Sequence, residues 1–180
     1  MQGVMAKIIQ LEADIFVASQ LVEADFAEVA ARGFRSVVNN RPDCEAPDQL
    51  PNEQAMAAAL CHGLQFRFLS VANLNVTDDA PVNAFAQLMD DLPRPTLFYC
   101  RSGTRCTILW AQVAVLRLGV ATTLEIASEA GYDLEVLRDR LTERASQPYA
   151  AASIKPDAGE DTTPNHNIIT PPTPAKKAGV

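Results

Sequence analysis

The chain has 180 residues and a hydrophobic fraction of 48%, which suits one domain with a full core. Its net charge is −7 with scattered basic residues, and no apolar run approaches the length of a membrane span. These features exclude a nucleic-acid footprint and a polybasic membrane surface, so we expect a cytoplasmic protein with neither partner. The four cysteines and two histidines lack metal-ligand spacing, so the sequence predicts no metal and no cofactor.

Composition divides the chain into a domain over residues 6–146 and a tail over residues 147–180. The tail holds six of the twelve prolines, together with Thr, Asn, Asp and Lys, and few large apolar residues. Such a segment cannot bury enough surface to offset the entropy of ordering it. We therefore expect a disordered Pro/Thr-rich tail without a functional role.

Within the domain, apolar runs alternate with segments of helical periodicity. In chain order these predict a strand over 15–19, a helix over 21–32, a strand over 34–39, a helix over 52–62, a strand over 65–71, a helix over 77–92, a strand over 95–99 and helices over 107–118, 122–130 and 134–145. Such alternation predicts an α/β fold with a mainly parallel sheet flanked by helices, with ligands bound at the carboxyl ends of the strands. Cys100 lies at one of these ends.

The loop Cys100-Arg-Ser-Gly-Thr-Arg105 between the last strand and the next helix is the candidate site. Backbone N–H groups of a tight loop converge on its centre, and the positive end of a helix adds to their field. Arg101 and Arg105 supply further positive charge, so we expect a reactive Cys100 thiolate.

The length of this loop separates two chemistries. Tyrosine and dual-specificity phosphatases place five residues between the cysteine and the arginine of the loop, and rhodanese-type sulfurtransferases place four. Here four residues separate Cys100 from Arg105, and Cys106 occupies the position of the phosphatase arginine. A shorter ring of amides leaves less room for three phosphate oxygens and favours sulfur over phosphate.

Phosphate-ester cleavage also needs an acid to protonate the leaving alkoxide. Asp78 and Asp79 are the candidates, but they directly precede a helix, where acidic residues are commonly caps. The segment after the third predicted strand, residues 70–75, contains no carboxylate. Sulfane-sulfur transfer needs no strong acid, because thiols leave easily.

Three segments carry a family resemblance: 13–21, Gly33-Phe-Arg-Ser-Val-Val-Asn-Asn-Arg-Pro-Asp and Tyr99-Cys-Arg-Ser-Gly-Thr-Arg. They resemble the phosphatase-like domains related to the beta-lactamase hydrolase-like protein, whose members are commonly described as bacterial sulfur transferases. The resemblance implies a dual-specificity-phosphatase-like fold with a rhodanese-like loop, and a role in sulfide metabolism beside a persulfide dioxygenase or sulfide-oxidising enzyme.

Carried over residue by residue, the resemblance makes Cys100 the sulfur-accepting nucleophile with Arg105 as its catalytic partner. Arg101, Ser102, Gly103 and Thr104 complete the cradle. It also suggests Arg41 as a neighbouring substrate-binding residue. In the alternative interpretation, Arg41 lies on a surface loop, where it caps a helix or pairs with Asp43.

The leading hypothesis is a sulfurtransferase that moves sulfane sulfur from thiosulfate or a persulfide to a thiol acceptor through a Cys100 persulfide. One alternative is a phosphatase acting through a phosphocysteine, and another is a non-catalytic anion-binding or redox-sensing module. Cys44 and Cys106 depart from the family pattern. Each of these two cysteines either approaches Cys100 as a redox partner or is simply a small buried residue. We expect Cys61 to be a small buried residue as well.

Overall fold

The structure is a computed structural model, and it describes residues 6–146. The predicted tail, residues 147–180, lies outside the described residues. The five strands are β1 (Ile8–Glu12), β2 (Ile15–Ala18), β3 (Ser36–Asn39), β4 (Gln65–Phe68) and β5 (Thr96–Tyr99). The helices are α1 (Asp25–Ala31), α2 (Asn52–Cys61), α3 (Asp79–Asp91), α4 (Thr104–Leu118), α5 (Val120–Glu129) and α6 (Arg138–Ser146), with single 3₁₀ turns at Asn73–Asn75 and Glu135–Leu137.

The strands form one sheet in the order β1-β2-β5-β3-β4, in which only β1 runs antiparallel to its neighbour. Tyr99 at the end of β5 pairs with Ala18 on one side and with Asn39 on the other. Three parallel strands therefore end at the same level, and the loops that follow them meet around Cys100.

Two apolar cores cover the two faces of the sheet. The smaller core includes residues of α1 and α2, such as Phe26 and Ala55, and the larger core includes residues of α3 to α6. Helix α4 packs against α3, α5 and α6, and Trp110 on it is fully buried. Since α4 begins where the loop of Cys100 ends, the loop is anchored in the larger core.

The predicted α/β fold with a mainly parallel sheet and flanking helices is confirmed. Sequence reasoning missed β1, an edge strand whose residues are mostly only half buried, so its apolar pattern is weak. The expectation that Cys61 is buried is wrong, because α2 packs through Ala55, Ala58 and Ala59 and leaves Cys61 exposed. Within the described residues, no helix is both long and apolar enough to cross a membrane.

Candidate active site

Cys100 follows β5 directly and is held by backbone hydrogen bonds. Its N–H donates to the carbonyl of Ala18 at 3.3 Å, and its Sγ accepts the N–H of Gly103 at 3.2 Å. Gly103 has φ of +88° and precedes the first residue of α4. This left-handed conformation turns the loop back over the sulfur, as predicted for a cradle of amides.

Tyr132 fixes the loop from outside. Its hydroxyl donates to the carbonyl of Ser102 at 3.3 Å. A Cβ added at Gly103 would overlap that hydroxyl and would lie 3.1 Å from Cζ of the same ring. Glycine is therefore required at residue 103 both by its backbone conformation and by the close approach of Tyr132.

The surroundings of Cys100 lower its pKa to about 5. The largest cause is a side-chain hydrogen bond from Cys106, which outweighs the opposing effect of burial; backbone N–H groups of Cys106, Ser102 and Gly103 add to it. The prediction of a thiolate cradled by amides is thus supported. The hydrogen bonds to the sulfur, rather than the arginine charge expected from the sequence, are the leading causes of this lowered pKa.

Cys106 is fully buried beside Cys100. Its Sγ lies 3.3 Å from Oδ1 of Asn40 and also hydrogen-bonds the Cys100 sulfur. The Asn40 amide is oriented by its own Nδ2, which donates to the carbonyl of Leu69 at 3.2 Å. Burial and the neighbouring Cys100 raise the pKa of Cys106. Cys106 therefore stays a thiol while Cys100 is a thiolate, and its single proton faces two acceptors, of which the charged sulfur is the stronger.

Arg105 is buried and anchored through each of its three guanidinium nitrogens. Nε donates to Oδ1 of Asn73 at 2.9 Å, Nη1 to the carbonyl of Asn40 at 3.2 Å, and Nη2 to Oε1 of Glu45 at 2.7 Å. The guanidinium thus ties α4 to the loops that follow β3 and β4. Its position is set by the protein before any substrate arrives.

Arg41 lies behind Arg105 and is joined to it through Glu45. Its Nε donates to Oε2 of Glu45 at 2.6 Å and its Nη1 to Oε1 of Gln20 at 2.9 Å. Burial opposes ionisation of Glu45, but the hydrogen bonds from the two arginines outweigh it and lower the pKa of the carboxyl. The alternative of a surface arginine paired with Asp43 is wrong, because Arg41 is only 4% exposed and its carboxylate partner is Glu45.

Sequence reasoning missed Glu45, and it also missed Asn40, Asn73 and Tyr132. The one signal for Glu45 in the sequence is its position four residues after Arg41 in the loop that follows β3. Cys44, which departs from the family pattern, lies in the same loop; it is exposed and has a φ of +60°. The predicted approach of Cys44 to Cys100 has no supporting contact within residues 6–146, where Cys44 is exposed and Cys100 is buried.

A cavity of about 250 Å³ opens over Cys100. It is lined by Asn73, Val76, Cys100, Arg101, Ser102, Thr104, Arg105 and Ile108. Arg101, Ser102 and Thr104 are exposed, and the hydroxyls of Ser102 and Thr104 lie 3.1 Å apart. The predicted site residues Cys100, Arg101, Ser102, Thr104 and Arg105 therefore meet at one cavity, whereas Gly103 and Arg41 are not part of its lining.

The residues that line this cavity include no carboxylate. Asp79 pairs with Arg144 at 2.8 Å. Asp78 occupies the N-cap position of α3, but its side chain does not cap the helix and instead accepts a hydrogen bond from Nδ2 of Asn75 at 2.8 Å. The expected side-chain cap is therefore wrong for Asp78, and neither aspartate is among the residues that line the cavity over Cys100.

A larger cavity, of about 390 Å³, lies at the opposite end of the sheet. Its lining includes Phe16, Phe34 and Pro95 and contains no thiol, carboxylate or imidazole. We place the candidate chemistry in the smaller cavity, because of these two cavities it is the one in which a nucleophile and fixed hydrogen-bond donors converge.

Comparison with known proteins agrees with this geometry. The family model of the beta-lactamase hydrolase-like protein, phosphatase-like domain, matches residues 8–116. The chain belongs to this family. Two curated relatives, both named beta-lactamase hydrolase-like protein, are 31% identical in Agrobacterium fabrum and 30% identical in Xylella fastidiosa, over 83% and 92% of this chain. The chain spans only 35% and 40% of their lengths.

Solved structures of phosphatases share the fold. A protein from Neisseria meningitidis, titled a "putative phosphatase", is 30% identical and superposes with a TM-score of 0.70 over 76% of this chain and 97% of its own. The catalytic core of the S. cerevisiae PP-IP phosphatase Siw14 is 13% identical, with a TM-score of 0.58 over 78% of this chain and 86% of its own. The predicted phosphatase-like fold is confirmed. Of the two predicted chemistries, these comparisons favour the phosphatase alternative over the sulfurtransferase.

Proposed function

We propose that this chain is a sulfurtransferase that carries sulfane sulfur on Cys100. The observation that carries the proposal is the absence of any carboxylate from the lining of the cavity over the thiolate. A phosphate ester releases an alkoxide, which needs a proton donor, whereas sulfite and thiolates leave as stable anions. The four-residue spacing from Cys100 to Arg105 supports the same assignment.

In the proposed reaction, the Cys100 thiolate attacks the outer sulfur of thiosulfate. The Cys100–sulfur bond forms, the S–S bond of thiosulfate breaks, and sulfite leaves with the electron pair. An acceptor thiolate then attacks the outer sulfur of the Cys100 persulfide. The acceptor leaves as a persulfide, and Cys100 returns as a thiolate stabilised by its amides and by Cys106.

The other residues of the cradle have separate roles in this proposal. The exposed Arg101 attracts the anionic donor at the mouth of the cavity. Ser102 and Thr104 offer hydroxyls to its oxygens. Arg105 fixes the loop, with Arg41 and Glu45 behind it. A persulfide product would be the substrate class of a persulfide-oxidising enzyme in the same pathway, and its thiol acceptors belong to a reducing compartment such as the cytoplasm.

A phosphatase acting through a phosphocysteine is the second candidate. The fold and the similarity to the Neisseria protein favour it. In that reaction the alkoxide would take its proton from water or from the substrate itself, and phosphate would be held by loop amides beside an Arg105 that already donates from each nitrogen. Aryl phosphates, whose leaving groups are weakly basic, would be the favoured substrates.

One set of measurements separates the candidates. After incubation with thiosulfate, intact mass spectrometry should show one added sulfur atom on the wild-type chain and none on Cys100→Ser, and added thiol should remove it. Failure of both thiosulfate and glutathione persulfide to label Cys100 would overturn the proposal. Hydrolysis of aryl phosphate that vanadate inhibits and Cys100→Ser abolishes would establish the phosphatase. Reversible Cys100 oxidation without either activity would establish the non-catalytic module.

A further inference from the structure

We propose that Cys106 is a resolving thiol: it condenses with oxidised Cys100 to form a Cys100–Cys106 disulfide, which closes the site reversibly. The inference concerns regulation of the site and does not depend on which group Cys100 transfers. It rests on the position of a second buried thiol that neither proposed reaction consumes.

The first support is contact. Both the side chain of Cys106 and its backbone N–H hydrogen-bond the Cys100 sulfur. Cys100 directly follows β5, Cys106 lies in the first turn of α4, and both side chains belong to the same buried cluster. The two thiols are therefore neighbours although five residues separate them in sequence. Two thiols held in this way react with a high effective concentration, because no chain segment has to be brought in.

The second support is the difference in access between the thiols. Cys100 lines the 250 Å³ cavity, so a small oxidant reaches it. Cys106 is fully buried and lies outside that lining. Of this pair, a reagent from solution therefore meets Cys100 first, and Cys106 reacts only through Cys100. Of the other two cysteines, Cys44 and Cys61 are both exposed, and no hydrogen bond or ion pair joins either to the loop within the described residues.

The third support is the chemistry of the pair. The Cys100 thiolate attacks a hydroperoxide, the O–O bond breaks, and an alcohol or water leaves once protonated, which gives the Cys100 sulfenic acid. The Cys106 sulfur then attacks the Cys100 sulfur, the S–O bond breaks, and the hydroxyl leaves as water with the Cys106 proton. The two thiols lose two electrons and the peroxide gains them. An external dithiol reverses the change by thiol–disulfide exchange.

The disulfide would also protect Cys100. A sulfenic acid without a resolving thiol proceeds to sulfinic acid, which thiols do not reduce. Since burial and the Cys100 thiolate keep Cys106 protonated in the resting protein, the pair does not condense until Cys100 has been oxidised and has lost its charge.

The test is a non-reducing tryptic map of the full chain after treatment with hydrogen peroxide. Trypsin cuts after Arg101 and after Arg105, so Cys100 and Cys106 fall on different peptides, 68–101 and 106–117, while Cys44 and Cys61 share peptide 36–67. We expect peptides 68–101 and 106–117 joined with the loss of two hydrogen atoms. Dithiothreitol should separate them and restore alkylation of Cys100 by iodoacetamide.

Cys106→Ser is the matched variant, because a hydroxyl retains the hydrogen bond to Cys100 but cannot form a disulfide. Its Cys100 should accumulate as sulfinic acid and should not be recovered by dithiothreitol, while Cys61→Ser should behave as the wild type. The proposal is overturned if peptide 68–101 joins 36–67 instead. It is also overturned if wild-type Cys100 reaches sulfinic acid as fast as in Cys106→Ser. The wild-type map decides even if that variant does not fold.

Discussion

The carboxylate of Glu45 accepts a hydrogen bond of 2.7 Å from Nη2 of Arg105, although 60 positions separate the two residues in the chain. The same carboxylate holds Arg41 at 2.6 Å. One acidic residue thus fixes the arginine that ends the Cys100 loop, and it offsets part of the positive charge of Arg41 and Arg105.

Removal of the Glu45 carboxylate should therefore weaken both the fold and the site. Glu45→Gln leaves two buried arginines without their counter-ion, and we expect a loss of about 1–3 kcal/mol in the free energy of unfolding. Urea denaturation measures it. Glu28→Gln, which breaks the exposed pair with Arg32, is the control and should change stability by less than about 0.5 kcal/mol. Equal losses in both variants would contradict a special role for Glu45.

Gly103→Ala should lower the stability of the protein more than Gly33→Ala, although the two glycines have the same backbone φ. Gly33 has the same φ of +88°, and an added Cβ there meets no atom within 4 Å. Gly33→Ala should therefore cost only the left-handed strain, about 1–2 kcal/mol. Gly103→Ala adds the overlap with Tyr132 and should also slow alkylation of Cys100. Tyr132→Phe combined with Gly103→Ala should recover part of the difference; no recovery would show that the overlap is not the cause.

The reactivity of Cys100 should rise with pH around a midpoint near 5, the pKa of its thiol in the folded protein. The rate of iodoacetamide labelling, measured from about pH 4 to about pH 8, gives this midpoint because only the thiolate is alkylated. Cys106→Ala should move it upward, because it removes the largest cause of the lowered pKa. Cys106→Ser should move it less. An unchanged midpoint in Cys106→Ala would contradict the assigned hydrogen bond.

The same pKa makes stability depend on pH. The ordinary value is 9.0 and the folded value is about 5, so between these the unfolded chain binds a proton that the folded chain does not. The contribution of Cys100 is full above the ordinary value and is lost as pH falls through the folded value. Relative to Cys100→Ser, the free energy of unfolding of the wild type should fall by about 1.4 kcal/mol for each unit by which the pH is lowered across this window. If the free energies of unfolding of the two proteins changed with pH in parallel, this contribution of Cys100 would be contradicted.

Arg101→Ala should weaken binding of an anionic donor without changing the fold. The side chain is exposed at the cavity mouth, so we expect a several-fold rise in KM for thiosulfate, little change in kcat, and weaker dependence of KM on salt. Arg35→Ala makes the same charge change at the other end of the sheet and should leave KM unchanged. A matching rise in Arg35→Ala would show that net charge alone is responsible.

Much of the site follows from sequence, because the strand, the loop and the helix that make it are contiguous between residues 95 and 118. The β–α alternation also predicts the mainly parallel sheet. The part played by Glu45 does not follow in this way, and the sequence leaves open whether Cys106 contacts Cys100. Glu45 reaches Arg105 only after β3 and β5 pair, and the sequence does not show which groups contact the Cys100 sulfur. For the same reason the sequence indicates a lowered pKa for Cys100 but not that a hydrogen bond from Cys106 is its largest cause.

Trp110 gives the chain a built-in optical probe. It is the one tryptophan in the sequence, and its indole N–H donates to Oε1 of Glu12 at 2.6 Å, which joins α4 to β1. Its fluorescence therefore originates from the helix that begins at the cradle of Cys100. Oxidation of the thiols, ligand entry and unfolding can each be followed through a single natural fluorophore, without a label.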